Sequence, residues 1–306
     1  MLKAAENMVK IEGILSEVDL EKGSYMKDGK THERISGTIK IKVNQVINGV
    51  EKELDVPVSL FANKLKNDGA PNPAYASIEK IKNEFVSIAA SPNGIEGADR
   101  VRITNGNIRM NEFYNQNGVL VSYPRISATF VSKVANSQDF SPEASFSSVF
   151  VIAAMGHETD KDGVDIPDRF KVRGVIPQYG GAVDVVDFIA VNPNVIEAVS
   201  SYWTEGDTVK INGKLNFSST TEERLVKVDF GEPRKEKRTI NVSELIITGG
   251  SQTPLEGDFA YDSDEIHAAL EERQSRLAAL KANQKSNDKS ASAKPAKKAS
   301  FSNLGF

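Results

Sequence analysis

Basic side chains recur at alternate positions in several short runs of this sequence. Lys40 and Lys42 lie in ISGTIKIKV, Lys171 and Arg173 in RFKVRGVI, Arg100 and Arg102 in DRVRI, and Lys210 and Lys214 in DTVKINGKL. The positions between them are mostly Ile, Val, Phe or Leu. A strand turns successive side chains to opposite faces, so each run has an apolar face and a basic face. A row of ammonium and guanidinium groups on an extended surface is chemistry for an anion, through charge-assisted hydrogen bonds to its oxygens. Aromatic rings stand close to further bases. Tyr25 lies beside Lys27 and Lys30 in GSYMKDGK; Arg109, Phe113, Tyr114 and Tyr123 flank the turn sequence NQNG; Arg234 and Lys237 sit in EPRKEKR. Each cation also has a bland reading as part of a solvated sheet face.

Other chemistry finds less support. The chain has no cysteine, and its three histidines, His32, His157 and His267, are far apart, so no spaced metal-ligand motif exists. No Gly-rich phosphate loop, nucleophile elbow or zinc-protease motif occurs. Asp184 and Asp187 are close enough in sequence to share a metal, but solvated strand residues are the simpler reading. The expectation is a binding protein without catalytic residues, cofactor or metal.

The elements that must position these side chains are mostly strands. VKIEGIL (9–15), ISGTIKIKV (35–43), LDVPVSLF (54–61), DRVRITNGNIRMNEF (99–113) and RISATFVSKV (125–134) read as strands, with a helix over 76–86 between the third and fourth. Pro57 predicts an edge position or bulge. SSVFVIAAM, RFKVRGVI, AVDVVDFIAV, DTVKINGKLNF and RTINVSELIIT repeat that order. Between the third and fourth comes the helix NPNVIEAVSSYW, with Asn192 or Asn194 as cap and Pro193 in its first turn. Residues 99–113 and 207–217 share an acid, Val, a base, Ile and then Asn-Gly, which suggests an internal repeat. SDEIHAALEERQSRLAALKAN reads as a helix capped by Ser263, with Ile266, Leu270, Leu277 and Leu280 in its stripe. The Ser- and Lys-rich stretch after it reads as disordered.

The formal net charge is −4 over 306 residues. A mildly acidic total argues against a non-specific duplex-DNA binder but allows a local basic groove. No run of about 18 apolar residues reads as a membrane span. No apolar leader opens the sequence, so a cytoplasmic location in a bacterial cell is expected.

Five strands with a helix between the third and fourth is the order of the OB-fold, a small Greek-key barrel. The chain resembles tandem OB-fold proteins, above all single-stranded DNA-binding proteins and replication protein A. The likeness is carried by the element order of 147–250 and by the pattern W-x-x-G-D-x-V-x-I-x-G-x-L from Trp203 to Leu215. The resemblance implies a mostly β fold of two OB-like barrels, 1–140 and 141–252. An acidic segment and helix (253–284) and a disordered basic tail with an apolar end (285–306) follow. It implies binding of single-stranded DNA with little sequence preference, in replication or recombination, with a bacteriophage as a candidate source. RNA stays open as a ligand. Under that reading the contacts are Tyr25, Lys40, Lys42, Arg102, Arg109, Tyr114, Tyr123, Lys171, Arg173, Lys210, Lys214, Arg234 and Lys237. The terminal SFSNLGF resembles the C-terminal peptide of bacterial single-stranded DNA-binding proteins, with basic residues where that peptide is acidic. Phe301, Leu304 and Phe306 would then dock replication or recombination proteins. The rival expectation is a structural or adaptor protein, such as a phage assembly component, whose barrels bind protein.

Overall fold

The structure is a computed structural model. It describes residues 2–226 and 234–291, of which 218–226, 234–241 and 283–291 are described by backbone alone. The fold is mostly β, in two barrels. The first contains β1 (Asn7–Lys27), β2 (Lys30–Ile47), β3 (Val50–Asn63), α1 (Pro73–Glu84), β4 (Arg100–Tyr114), β5 (Leu120–Ala128) and the short β6 (Ser132–Lys133). The second contains β7 (Glu143–Thr159), β8 (Asp165–Pro177), β9 (Val183–Ala190), α2 (Pro193–Tyr202), β10 (Thr208–Val226) and β11 (Arg234–Gly250). In barrel one, β1–β2, β2–β3, β1–β4 and β4–β5 pair antiparallel, and a short parallel β3–β5 contact at Val58–Leu60 closes the ring. Barrel two repeats every pairing: β7–β8, β8–β9, β7–β10 and β10–β11 antiparallel, with β9–β11 parallel. This is OB topology twice over.

The strands follow the apolar alternation. Ile35, Ile39, Ile41, Val43, Leu54, Val56, Val58 and Leu60 are buried, and so are Phe170, Val172, Phe188, Val209, Ile211 and Leu215. Pro57 interrupts nothing, because it pairs opposite Lys40 on one side and precedes the residues of β3 that pair with β5 on the other. The two Asn-Gly sites of the internal repeat are not turns, unlike Asn48-Gly49, which turns β2 into β3. Each lies inside the fourth strand of its barrel, at a register shift: Gly106 where β4 meets β1, and Gly213 where β10 meets β11. Both glycines allow a close approach of backbones. A Cβ on Gly213 would lie 2.2 Å from the Ile246 carbonyl oxygen and 2.4 Å from the Phe146 ring, and one on Gly106 3.2 Å from the Ser127 oxygen. Both helices between third and fourth strands start on an Asn cap and a proline. Asn72 and Asn192 each accept from the backbone two residues on, at 3.0 Å. Trp203 ends α2 buried, its indole N–H donating to the Ser251 carbonyl at 3.1 Å.

The barrels are joined edge to edge. The start of β1 pairs with β7 from Asn7↔Ser148 to Glu12↔Glu143, so the sheet runs continuously through both. One apolar core cluster spans the junction. Gln45 of β2 reaches across it. The last registered pair of β7 and β10 is Ser145↔Lys214. Where the two strands then part, the Gln45 side chain donates to the Leu215 carbonyl (2.8 Å) and accepts from the Ala144 N–H (2.9 Å).

Helix α3 (Ser263–Ala291) packs Ile266 and Ala269 against Val151, Val175 and Val183 of barrel two. Three expectations change here. The cap is Asp262, whose carboxylate accepts from the backbone of Asp264 and Glu265 at 2.9 and 3.1 Å, not Ser263. Leu280, expected in the stripe, is 43% exposed. The helix also continues to Ala291, into the expected tail, since no proline interrupts it before Pro295 and extending a formed helix costs little. Among the described residues no helix is long and apolar enough to cross a membrane.

Candidate functional site

A groove of about 1340 Å³ lies between the barrels. Barrel one contributes Lys40 from β2, Asp55 and Pro57 from β3, and Tyr123 and Pro124 from β5. Barrel two contributes the corresponding faces: Arg169, Lys171 and Arg173 from β8, Asp187 and Ile189 from β9, and Val242 to Glu244 from β11. Each wall is thus built from a second strand and a third strand, with fifth-strand residues that precede the parallel seam beside them. Arg273 of α3 also lines the groove.

Acids accompany most of the groove cations. Lys40 bonds Glu17 at 2.5 Å, and that bond raises its pKa above the ordinary lysine value. Arg173 grips Asp187 with two bonds of 2.7 and 3.0 Å, which likewise raise its pKa. Burial pulls the Arg169 pKa down, but bonds to Glu158 (2.5 Å) and Glu244 (2.7 Å) outweigh it and hold the pKa above the ordinary value. Lys171 makes no ion pair among the described residues. Among the described residues it is the groove cation with no carboxylate to exchange. Tyr123 is 42% exposed; its ring meets Phe113 edge-on at 6.4 Å and its hydroxyl accepts from Asn111 at 2.6 Å.

Of the residues read from the sequence, the groove therefore gathers Lys40, Tyr123, Lys171 and Arg173. The others lie elsewhere. Lys42 points to Glu53 at 2.6 Å. Arg102 clasps Glu12 with bonds of 2.7 and 3.0 Å and donates to the Asp139 carbonyl. Lys210 bonds Glu6 at 2.7 Å, while Lys214 reaches the Val46 carbonyl of barrel one at 3.1 Å. Arg109 also crosses the junction, pairing with the buried Asp184 at 3.0 Å. Burial pushes that carboxyl above its usual pKa, against the pull of the Arg109 charge. Tyr25 sits on the β1–β2 hairpin, stacked on His32 at 5.3 Å, with the Arg34 guanidinium 5.8 Å from its ring. The Lys281 ammonium stands 5.4 Å from the centre of the Tyr114 ring, so α3 occupies that platform. Arg234 and Lys237 have backbone positions alone, with Lys237 opposite Glu223 in the ladder. Phe301, Leu304 and Phe306 lie outside the described residues.

Sequence reasoning missed two lining cations. Arg169 was legible, since it continues the Lys171, Arg173 alternation two residues earlier. Arg273 was not: its place depends on α3 folding back to bond the buried Glu112 of β4.

The family model described as YorF matches residues 5–283. The chain belongs to the YorF family. The matched span takes in both barrels of this YorF member, the groove and most of α3. No curated protein matches the sequence. Among solved structures, a deletion mutant of the single-stranded DNA-binding protein from Thermus aquaticus is similar, at 11% identity and a TM-score of 0.46. The alignment covers 85% of this chain and 98% of that one. The OB assignment rests on the strand pairing described above.

Proposed function

We propose that this protein binds single-stranded nucleic acid, DNA in the first instance, along the groove between its barrels, without catalysing a reaction. The observation that carries the reading is the convergence of corresponding second- and third-strand faces on one groove, with Lys171 free of any ion pair among the described residues and Tyr123 exposed among its walls. Outward second- and third-strand faces are where OB-folds receive oligonucleotides. A phosphate would meet Lys171 first. It would then exchange with Glu17 and Asp187 for Lys40 and Arg173, while a base stacks on Tyr123. Replication or recombination, where single strands arise, is the setting proposed.

The charge balance of the groove favours a second reading, an adaptor whose barrels hold a protein segment. Asp55, Glu158, Asp187 and Glu244 line it beside the cations. Fluorescence anisotropy with a mixed-sequence strand of ~30 nucleotides separates the two. Single strand should bind more tightly than duplex, and affinity should fall as salt rises. Lys171→Ala should lower the salt slope by about one unit. Tyr123→Ala should cost about 1–3 kcal/mol. No detectable binding at low salt would sink the nucleic-acid reading and leave the adaptor.

A further inference from the structure

A second, smaller cavity of about 420 Å³ opens on the outer face of barrel one. Arg125, Phe61, Asn107, Thr38, Ser59 and Thr129 line it. It carries a positive charge, several hydroxyls and an aromatic ring, and none of its lining residues is acidic. That sets it apart from the main groove. Asp19 stands opposite Thr38 in the β1–β2 ladder, on the far side of β2 from β3 and β5.

Arg125 has a specific electrostatic problem. It lies directly opposite Arg109 in the β4–β5 ladder. Like charges in that position repel. The Asp184 carboxylate compensates Arg109 from the other barrel. Arg125 is exposed and has no ion pair among the described residues. The uncompensated guanidinium therefore faces a cup of hydroxyl donors, beside a Phe61 ring that is 52% exposed. The Asn107 Oδ1, buried on the same wall, has no hydrogen-bond partner. An anion on Arg125 would relieve the repulsion. A flat ring attached to that anion could cover Phe61.

We propose that this cavity holds one nucleoside phosphate, with its phosphate on Arg125 and its base against Phe61. A residue of a bound strand or a free nucleotide can supply that chemistry. Only the first source rests on the function proposed above. Tyr123 and Arg125 are alternate residues of β5, as Pro57 and Ser59 are of β3, so a strand leaving the main groove can pass directly into the cavity.

The test uses the full chain with thymidine 5′-monophosphate and with thymidine, by calorimetry or NMR titration. The monophosphate should bind about tenfold more tightly than the nucleoside, as a charge-assisted contact requires. Arg125→Ala should erase that preference, and Phe61→Ala should weaken both ligands about fivefold or more. Equal affinity for the two ligands, or monophosphate binding that survives Arg125→Ala, overturns the proposal. A ~30-nucleotide strand identifies the source. Weaker strand binding in Arg125→Ala, with a salt slope reduced by about one unit, places a residue of the strand in the cavity. Unchanged strand binding alongside lost monophosphate binding makes a free nucleotide the ligand. Monophosphate binding with no strand binding would refute the single-strand function and leave this site standing.

Discussion

Replacing Gln45 by methionine should destabilise the protein, although Gln45 shares the buried face of β2 with Val43 and Ile47, where an apolar side chain would ordinarily be favoured. Gln45 is 7% exposed, and the two residues it bridges, Ala144 and Leu215, are fully buried. Methionine has a similar length, so the cavity term is small. What changes is that the Leu215 carbonyl and the Ala144 N–H lose the partner the side chain supplies, where no water reaches them. An unsatisfied buried backbone group costs about 1–3 kcal/mol, so the two together should cost about 2–6 kcal/mol. That is a large part of a typical domain's stability. Urea denaturation followed by far-UV circular dichroism and by the single tryptophan, Trp203, measures it. The same bond sits at the point where the barrels meet, so strand affinity should fall as the groove walls lose their fixed spacing. A loss under about 1 kcal/mol would refute the reasoning, because it would mean that the two backbone groups find other partners.

Gly213→Ala should be more damaging than Gly106→Ala, although both occupy the same place in the repeated Asn-Gly pattern. The first Cβ would collide with backbone at 2.2 Å and the second only crowd it at 3.2 Å, so overpacking of about 1–3 kcal/mol or more belongs to Gly213; equal losses on urea denaturation would contradict this. Acid should weaken the fold through Glu12 and Glu6. Hydrogen bonds from Arg102, and from Lys210 and Ser147, hold these carboxyls below the usual glutamate pKa. Their stabilisation is therefore complete above about pH 4.3 and is lost as the pH falls through the lowered folded values. Glu12→Gln should flatten the pH dependence of the urea midpoint below that point, and an unchanged slope would show that the pair contributes nothing.

Much of the fold was legible because local rules and tertiary contacts agree. Alternation set which face of ISGTIKIKV or RFKVRGVI is buried, since a strand with one apolar face has one register that hides it. Asn192 and Pro193 marked the start of α2 because a helix N-terminus needs an acceptor and tolerates a missing N–H. The Asn-Gly repeat pointed correctly to two equivalent strands, although it marks bulges rather than turns.

The destination of each basic face was not legible. Lys40, Lys171, Lys210 and Lys214 look alike in sequence, as bases alternating with apolar residues. Lys40 and Lys171 line the groove, Lys210 is held by Glu6, and Lys214 crosses to the carbonyl of Val46. An outward face can meet solvent, a ligand or another part of the chain, and period-two patterning carries no information about which. Here that was decided by the pairing of β1 with β7 and by Gln45 beside it. These contacts fix how one barrel sits on the other, and so which outward faces end up across from each other. The sequence by itself determined two barrels with a basic side to each. Only the tertiary structure decided which of those bases share a groove, because that depends on contacts between residues more than a hundred positions apart.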